Sequence, residues 1–400
     1  MTYPSGAVTL SNQRSFPRGV IFHAQMDHMS RANDFVQLHL APQLAAAGFD
    51  YVPFRIWPVI KANRSLLAKA MWGAFKEHGF RAFRSKTDLA ACMYKSTTMF
   101  DMASDLMRQQ ILATPNVVAI LQTGGAFNSS LPGLPFFIHA DDVILNREHG
   151  DFQGTPASSQ VIDRERALYA HVDKFMVQSS HVVEALHEFY GIDRAKTAVI
   201  NVGANARATH VDQSLERYAA QKIIFVGLDW DRKGGAQLVQ AFEQVLPEFP
   251  KARLTIVGAA PVLSHPAIDV VGRLPLDGVG DALAQASIFC LPSRLEPSAA
   301  ASVEASLAAL PVIATDTGGF RDSVVEGITG LRVPVGDVDR LADALRRLLS
   351  DPALCQSIGA AGRTYAASHY VWESVTAKMA NTMVAEVTAR EPVAAKAVAA

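Results

Sequence analysis

Apolar and polar positions alternate in blocks along the chain, and the C-terminal half shows it most clearly. Residues 222–227 (KIIFVG), 253–258 (RLTIVG), 287–292 (SIFCLP) and 311–315 (PVIAT) are short apolar runs, each stopped by glycine, proline or a polar residue. Between them, 235–246, 281–286 and 300–309 carry helical spacing, and 338–349 carries it after the last run. Fully apolar strands alternating with helices predict a parallel sheet covered on both faces. Right-handed crossovers then give a doubly wound, Rossmann-like domain.

The N-terminal half alternates less cleanly. Strands are predicted at 19–23 (GVIFH), 51–56, 117–122 (VVAILQ), 135–139 (PFFIH), 174–178 (KFMVQ) and 197–201. Helices are predicted at 35–47 and 180–190, and another begins at Glu165. This is a second α/β domain, and the polar stretch 205–218 reads as the linker. The expected organisation is an N-terminal domain over 1–205 and a C-terminal domain over 206–371. A helix over 372–388 packs back on the N-terminal domain, and a flexible tail follows over 389–400. Two such domains facing each other leave a deep cleft. Ligands in open α/β sheets bind at the carboxyl ends of strands, so the residues just after each strand carry the chemistry.

Composition agrees with this picture. The chain has 400 residues, enough for two full cores. A net charge of -1 gives no general attraction to nucleic acid. The three cysteines, Cys92, Cys290 and Cys355, are scattered, which argues against a disulfide framework or a zinc site and for a reducing compartment. The first sixteen residues are polar and do not read as a signal peptide. No run is long and apolar enough to span a bilayer. The expected location is the cytoplasm, with contact to the inner face of a membrane.

Three post-strand loops stand out. The first holds Gly227, Arg232, Lys233, Gly234 and Gly235 where a helix begins. Free N–H groups, a positive dipole end and two cations there suit a diphosphate, although a solvated turn has the same composition. The second runs from Pro292 to Ala305 and contains Glu296 in a loop and Glu304 inside the following helix. The helix around Glu304 is small and apolar, so its carboxylate must be paired or hydrogen-bonded. Ribose hydroxyls would serve, and so would a cap or a salt bridge. The third, 314–320, contains the Gly318–Gly319 turn, which lets backbone approach a ligand or simply turns the chain.

Together these motifs resemble the retaining glycosyltransferases of the GT-B fold, specifically family 4. The resemblance rests on Gly227, Lys233–Gly234, Pro292–Ser293, Glu296, Glu304, residues 311–315 and Gly318–Gly319, in that order, and continues through 325–331. It is weaker over 117–205 and poor before 115. It implies two Rossmann-like domains facing a central cleft, with sugar transfer from a nucleoside-diphosphate sugar to a glycan or lipid-linked acceptor hydroxyl. It implies that Lys233, with Arg232, binds the diphosphate, that Glu304 holds the ribose, and that Glu296 contacts the donor sugar near the reacting carbon. Ser298, Gly318 and Gly319 belong to the same donor site. His139 is implied to face donor sugar and acceptor, with a buried structural histidine as the alternative. Gly124, Gly125, Asp141 and Asp142 line the cleft on the acceptor side, Asp141 and Asp142 otherwise capping the next turn. No metal and no cofactor is expected.

The chain departs from the family where Arg usually follows the first strand's glycine, which here is Leu228, and where Gly-Phe-Gly usually follows the first glutamate, which here is Pro297, Ser298 and Ala299. These departures leave room for a catalytically impaired binding or scaffold protein; a nucleotide-sugar epimerase is the further alternative. Finally, residues 55–86 hold eight cations against the single anion Glu77. Leu67, Met71 and Phe75 share helical spacing there, with Trp72 and Phe83 nearby. The segment reads as a membrane-contacting amphipathic stretch or a solvated helix face.

Overall fold

The computed structural model of the chain describes residues 18–26, 31–149 and 157–397. Residues 1–17, 27–30, 150–156 and 398–400 lie outside them.

Two six-stranded parallel sheets form the frame. The first contains β1 (Val20–Gln25), β2 (Asp50–Arg55), β3 (Val117–Thr123), β4 (Phe136–Ala140), β5 (Lys174–Val177) and β6 (Thr197–Val199). Its order is β2-β1-β3-β4-β5-β6. The second contains β7 (Lys222–Gly227), β8 (Arg253–Gly258), β9 (Ile268–Gly272), β10 (Ile288–Leu291), β11 (Val312–Thr315) and β12 (Gly330–Val333), ordered β12-β11-β10-β7-β8-β9. Each sheet reverses direction of winding once, between β1 and β3 and between β7 and β10. These switch points are where a doubly wound sheet opens a crevice for a ligand. The α/β, GT-B reading of the sequence is therefore the observed architecture.

The central strands are buried over most of their length because helices cover both faces. In the second sheet Ile223, Ile224, Phe225, Ile288, Phe289, Val312 and Ile313 pack against the helices Gly235–Val245 and Val338–Leu349. Those two helices were read from spacing alone, the second with its observed boundaries. The edge strands β9 and β12 were not read as strands. β9 alternates between buried and exposed positions, so it lacks the continuous apolar run that marks a central strand.

Three boundaries differ from expectation. The helix placed at Glu165 begins earlier, at Ser159, with the Ser158 hydroxyl accepting from the Val161 N–H. The expected linker 205–218 ends in a helix, Leu215–Ala219, that belongs to the second domain. There the Arg217 guanidinium is buried and donates to the carbonyls of Ala286, Ala308, Leu283 and Asp212, which lets a polar residue sit inside the domain. The last helix runs Trp372–Ala397, past the expected break at 388, through alanine-rich sequence of high helix propensity.

That helix packs against Arg31–Ala46 on the first sheet, not on the second. Trp372, Val375, Met379 and Met383 join Val36, Leu40 and Leu44 in one core. The Trp372 ring stacks on Phe35 at 6.0 Å. It lies so close to Gly203 that a Cβ there would fall 2.1 Å from the indole. Four further helices, Ile56–Ala62, Arg64–His78, Lys86–Tyr94 and Thr97–Ala113, fill the long crossover from β2 to β3. The sequence hinted at them only through Leu67, Met71 and Phe75.

Candidate functional site

The second sheet's switch point lies between β7 and β10, and the loops after these strands are pressed together. Gly234 adopts φ 70°, and a Cβ there would sit 2.0 Å from the Pro292 carbonyl oxygen. The Arg294 N–H donates to the Arg232 carbonyl at 2.8 Å. This close approach brings the Lys233 ammonium onto the Glu296 carboxylate as a buried ion pair. Glu296 also accepts from the Ser293 hydroxyl at 3.1 Å and the Ala299 N–H at 3.3 Å. Burial alone would raise the Glu296 pKa, but Lys233 holds the carboxyl below its ordinary value. Burial lowers the Lys233 pKa, against the upward pull of Glu296.

The Gly318–Gly319 turn follows β11 and seats on the backbone of Glu296. The Gly319 N–H donates to the Glu296 carbonyl at 2.7 Å. Gly318 has φ 51°, and a Cβ there would lie 2.1 Å from the same carbonyl. Ser298 is half-buried beside this turn, its backbone against Gly319. Ala299 starts the helix Ala300–Leu307 with φ 60°, a left-handed conformation held by a non-glycine residue. The family pattern places glycine there, so alanine carries strain at the site's own helix start.

Glu304 lies inside that helix and is buried. Its Oε1 accepts from the Asn205 N–H at 3.0 Å and the Ala206 N–H at 3.1 Å. Burial pushes its carboxyl up to about 7, while these two N–H groups and the nearby Lys233 charge pull the other way. The structure therefore joins Lys233, Glu296 and Glu304 in one electrostatic cluster. It also gives Glu304 a role the sequence left among alternatives: one oxygen ties down the interdomain linker. Arg232 is held at the rim, donating to the Leu295 carbonyl at 2.9 Å and pairing with Asp229. Leu228 is 62% exposed and fills no core position.

Across from this lies the carboxyl-end rim of the first sheet. On the face that packs against Arg31–Ala46, the strands are apolar near their starts and polar near their ends. Ile21, Leu121, Phe137 and Met176 belong to the apolar core. His23, Gln25, Thr123, His139 and Gln178 follow along the same faces. His23 hydrogen-bonds the Tyr51 hydroxyl and, at 2.8 Å, the Thr123 hydroxyl. Burial, His139 and Arg55 together lower its pKa well below the ordinary value. Gln25 accepts from Arg55.

His139 is buried, and burial lowers its pKa to about 4, so it is neutral at pH 7. Its Nε2 meets the Gln178 amide at 3.3 Å, and its Nδ1 is buried without a partner. Most buried polar atoms are hydrogen-bonded, so His139 Nδ1 is an exception it shares with His78 Nε2.

The other predicted residues of this half are placed differently. Gly124 has φ 75° and donates its N–H to the His139 carbonyl at 2.9 Å, locking the β3 loop onto β4. Gly125 backs against Glu165, which accepts from the Tyr169 and Tyr190 hydroxyls, and a Cβ there would fall 2.6 Å from the carboxylate. Asp141 is exposed, whereas Asp142 is buried and accepts from the Val143 N–H and the Asn146 amide. Of the two readings of Asp142, the geometry supports the turn cap.

Besides the contacts around the linker, a clasp joins the two halves. Asp322, three residues after Gly319, accepts from the Ser180 N–H and hydroxyl, each at 2.7 Å. Ser180 opens the helix that follows β5. The carboxyl ends of both sheets therefore face each other, as the sequence required. Sequence reasoning missed this clasp and the His23 network. The network had a signal: VIFHAQ carries polar residues at alternate positions of an otherwise apolar strand. The clasp had none, because its partners are 142 residues apart.

A pair of facing Rossmann-like domains with cationic and acidic strand-end loops defines the GT-B class. Comparison with known proteins agrees. Residues 220–351 match the family model described as glycosyl transferases group 1. That match lies within the C-terminal domain and includes the loops of Lys233, Glu296, Glu304 and Gly318–Gly319.

The D-inositol 3-phosphate glycosyltransferase of Kribbella flavida is 28% identical over 286 residues, 65% of this chain and 66% of the relative. A GDP-mannose-dependent monoacylated alpha-(1-6)-phosphatidylinositol monomannoside mannosyltransferase of Corynebacterium glutamicum is 34% identical over 171 residues, 39% of this chain and 45% of the relative. The chain thus spans less than two thirds of these relatives. In fold, the chain is similar to the sucrose-phosphate synthase of Thermosynechococcus elongatus, with a TM-score of 0.64 at 18% identity over 93% of this chain and 100% of that one. It is also similar to Anabaena Alr3699/HepE in complex with UDP and glucose, with a TM-score of 0.61 at 15% identity over 92% of this chain and 99% of that one.

Proposed function

We propose that the protein is a retaining glycosyltransferase that moves a hexose from a nucleoside-diphosphate sugar to an acceptor hydroxyl. The observation that supports this most is the buried Lys233–Glu296 pair, set beside Glu304 at the switch point of the second sheet. A buried ion pair held by loop geometry is weak evidence for stability alone. It makes sense as a charge reserve: an incoming diphosphate takes Lys233, and the freed Glu296 carboxylate accepts donor-sugar hydroxyls.

In this reading the glycosidic carbon–oxygen bond to the diphosphate breaks, and its electron pair leaves on the phosphate oxygen. Lys233, Arg232 and the start of the helix Gly235–Val245 stabilise the charge that develops there. The acceptor oxygen bonds the same face of the carbon, and its proton passes to the departing phosphate. Glu304 offers its second carboxylate oxygen to the ribose. Neutral His139, at the carboxyl end of β4, faces the donor sugar and acceptor in this reading. The reaction uses protein cations and needs no metal or cofactor.

The acceptor is a glycan or lipid-linked glycan, and the names of the two curated relatives put inositol-based compounds in the acceptor panel. The protein works in the cytoplasm at the inner face of the membrane, with contact through residues 55–86. The test is a transfer assay across nucleotide sugars and acceptors, with product anomers read by NMR. Transfer with retention supports the reading, and inversion removes the mechanism. Nucleotide binding without transfer or hydrolysis would favour the impaired binding protein that Leu228 and Pro297 suggest.

A further inference from the structure

The helix Arg64–His78 and the short turn of helix Gly79–Phe83 after it present an aromatic cluster to solvent. Phe75 lies at its centre, with ring centroids 5.6 Å from Trp72, 5.5 Å from Phe80 and 6.1 Å from Phe83. Three of the four rings are exposed: Trp72 60%, Phe80 83% and Phe83 48%. Of the stripe Leu67, Met71 and Phe75 singled out in the sequence, Leu67 and Met71 pack inward against the first domain's core, while Phe75 is half-buried under the exposed rings. What faces solvent is one step round the helix.

Cations surround these rings. Lys69, Trp72 and Lys76 share one face by helical spacing, and Arg81 and Arg84 flank Phe80 and Phe83. Lys61, Arg64, Lys69, Lys76, Arg81 and Arg84 are exposed, and none of them pairs with a carboxylate among the described residues. The one anion of the stretch, Glu77, points away. Its Oε1 accepts from the Thr97 N–H at 2.8 Å and hydroxyl at 2.6 Å. Adjacent exposed aromatics ringed by unpaired cations match the interface of an anionic bilayer, where rings enter the headgroup boundary and ammonium groups meet phosphates. An acidic protein would satisfy the cations but would leave Phe80 in water unless it also brought an apolar pocket.

We propose that Trp72, Phe80 and Phe83 insert into an anionic lipid surface, with Lys69, Lys76, Arg81 and Arg84 holding the headgroups. This rests on the membrane contact proposed above and assigns its residues and its lipid charge. The patch sits on the crossover between β2 and β3.

The test is co-sedimentation of the full chain with phosphatidylcholine vesicles, with and without phosphatidylglycerol, at low and high salt. The expected result is binding only with phosphatidylglycerol, weakened by salt. Each of Lys69→Gln, Lys76→Gln, Arg81→Gln and Arg84→Gln should lower the partition constant, by about fivefold per cation. The combination Trp72→Ser, Phe80→Ser and Phe83→Ser should lower it by roughly tenfold or more. These side chains are exposed, so the variants should melt with the wild type. Equal binding to neutral vesicles, no binding to either, or binding indifferent to the aromatic substitutions would overturn the proposal. So would self-association that the same substitutions abolish, since the patch would then join two copies of the chain. A thermal shift with nucleoside diphosphates, run on the same samples, reads the donor site separately. Its loss would count against glycosyl transfer, not against docking.

Discussion

At the scale of single residues, the site is a set of buried charges that only make sense together. Removing Lys233 leaves the Glu296 carboxylate buried and uncompensated, which costs about 3–5 kcal/mol in comparable cases. Lys233→Met should therefore destabilise strongly in urea denaturation. Adding Glu296→Gln to it should recover most of that loss, because no net charge is then left buried. If the double variant were as unstable as the single one, the pair would not be coupled as described.

Glu304 gives a pH signature. Its folded pKa of about 7 lies above the ordinary carboxyl value of 4.5. Its contribution to stability is complete below 4.5 and is lost as pH rises through 7, up to roughly 3 kcal/mol. His139 acts in the opposite sense. Its folded pKa of about 4 lies below the ordinary 6.5, so its contribution is present above 6.5 and lost as pH falls. The two overlap, so the comparison with Glu304→Gln is the informative one. Relative to wild type, Glu304→Gln should gain stability steadily from pH 5 to pH 8, measured by melting at each pH. A flat difference would remove the buried-carboxylate account.

At the scale of elements, strained turns set the loops against each other. Ala299 holds φ 60° at the start of the helix Ala300–Leu307. Ala299→Gly should stabilise the protein by about 0.5–1 kcal/mol, read as a higher urea midpoint with unchanged slope. Gly318→Ala should do the reverse and also cut transfer, since its Cβ would collide with the carbonyl of Glu296.

These elements also show what was legible in the sequence. Central strands such as β7 were readable because burial on both faces leaves a continuous apolar run. Lys233, Glu296 and Glu304 were readable because each follows or flanks such a run at a spacing matching a known motif. β9 was not, because an edge strand's alternation is short. The helices between β2 and β3 were not, because their apolar faces pack on one another and give no single strong stripe. The grip of Glu304 on Asn205 and Ala206 was invisible, since it joins a helix to a linker 98 or more residues away.

At the scale of the whole molecule, the account depends on two sheets presenting their carboxyl ends to one cleft. The Asp322–Ser180 clasp is the direct evidence of that arrangement, and it continues from the Gly318–Gly319 turn that seats Glu296. The donor-loop turn and the residue that reaches the other domain are thus three positions apart in sequence. The long helix Trp372–Ala397 ties the end of the chain back to the first domain, so the two domains are joined by two crossing segments rather than one.

The most direct test of the central claim is isothermal calorimetry with UDP, GDP and ADP on wild type and on Lys233→Ala carrying Glu296→Gln, which keeps the fold balanced. The account predicts that at least one diphosphate binds the wild type and that the double variant loses that binding. Undiminished binding to the double variant, or no binding of any of the three to the wild type, would contradict it.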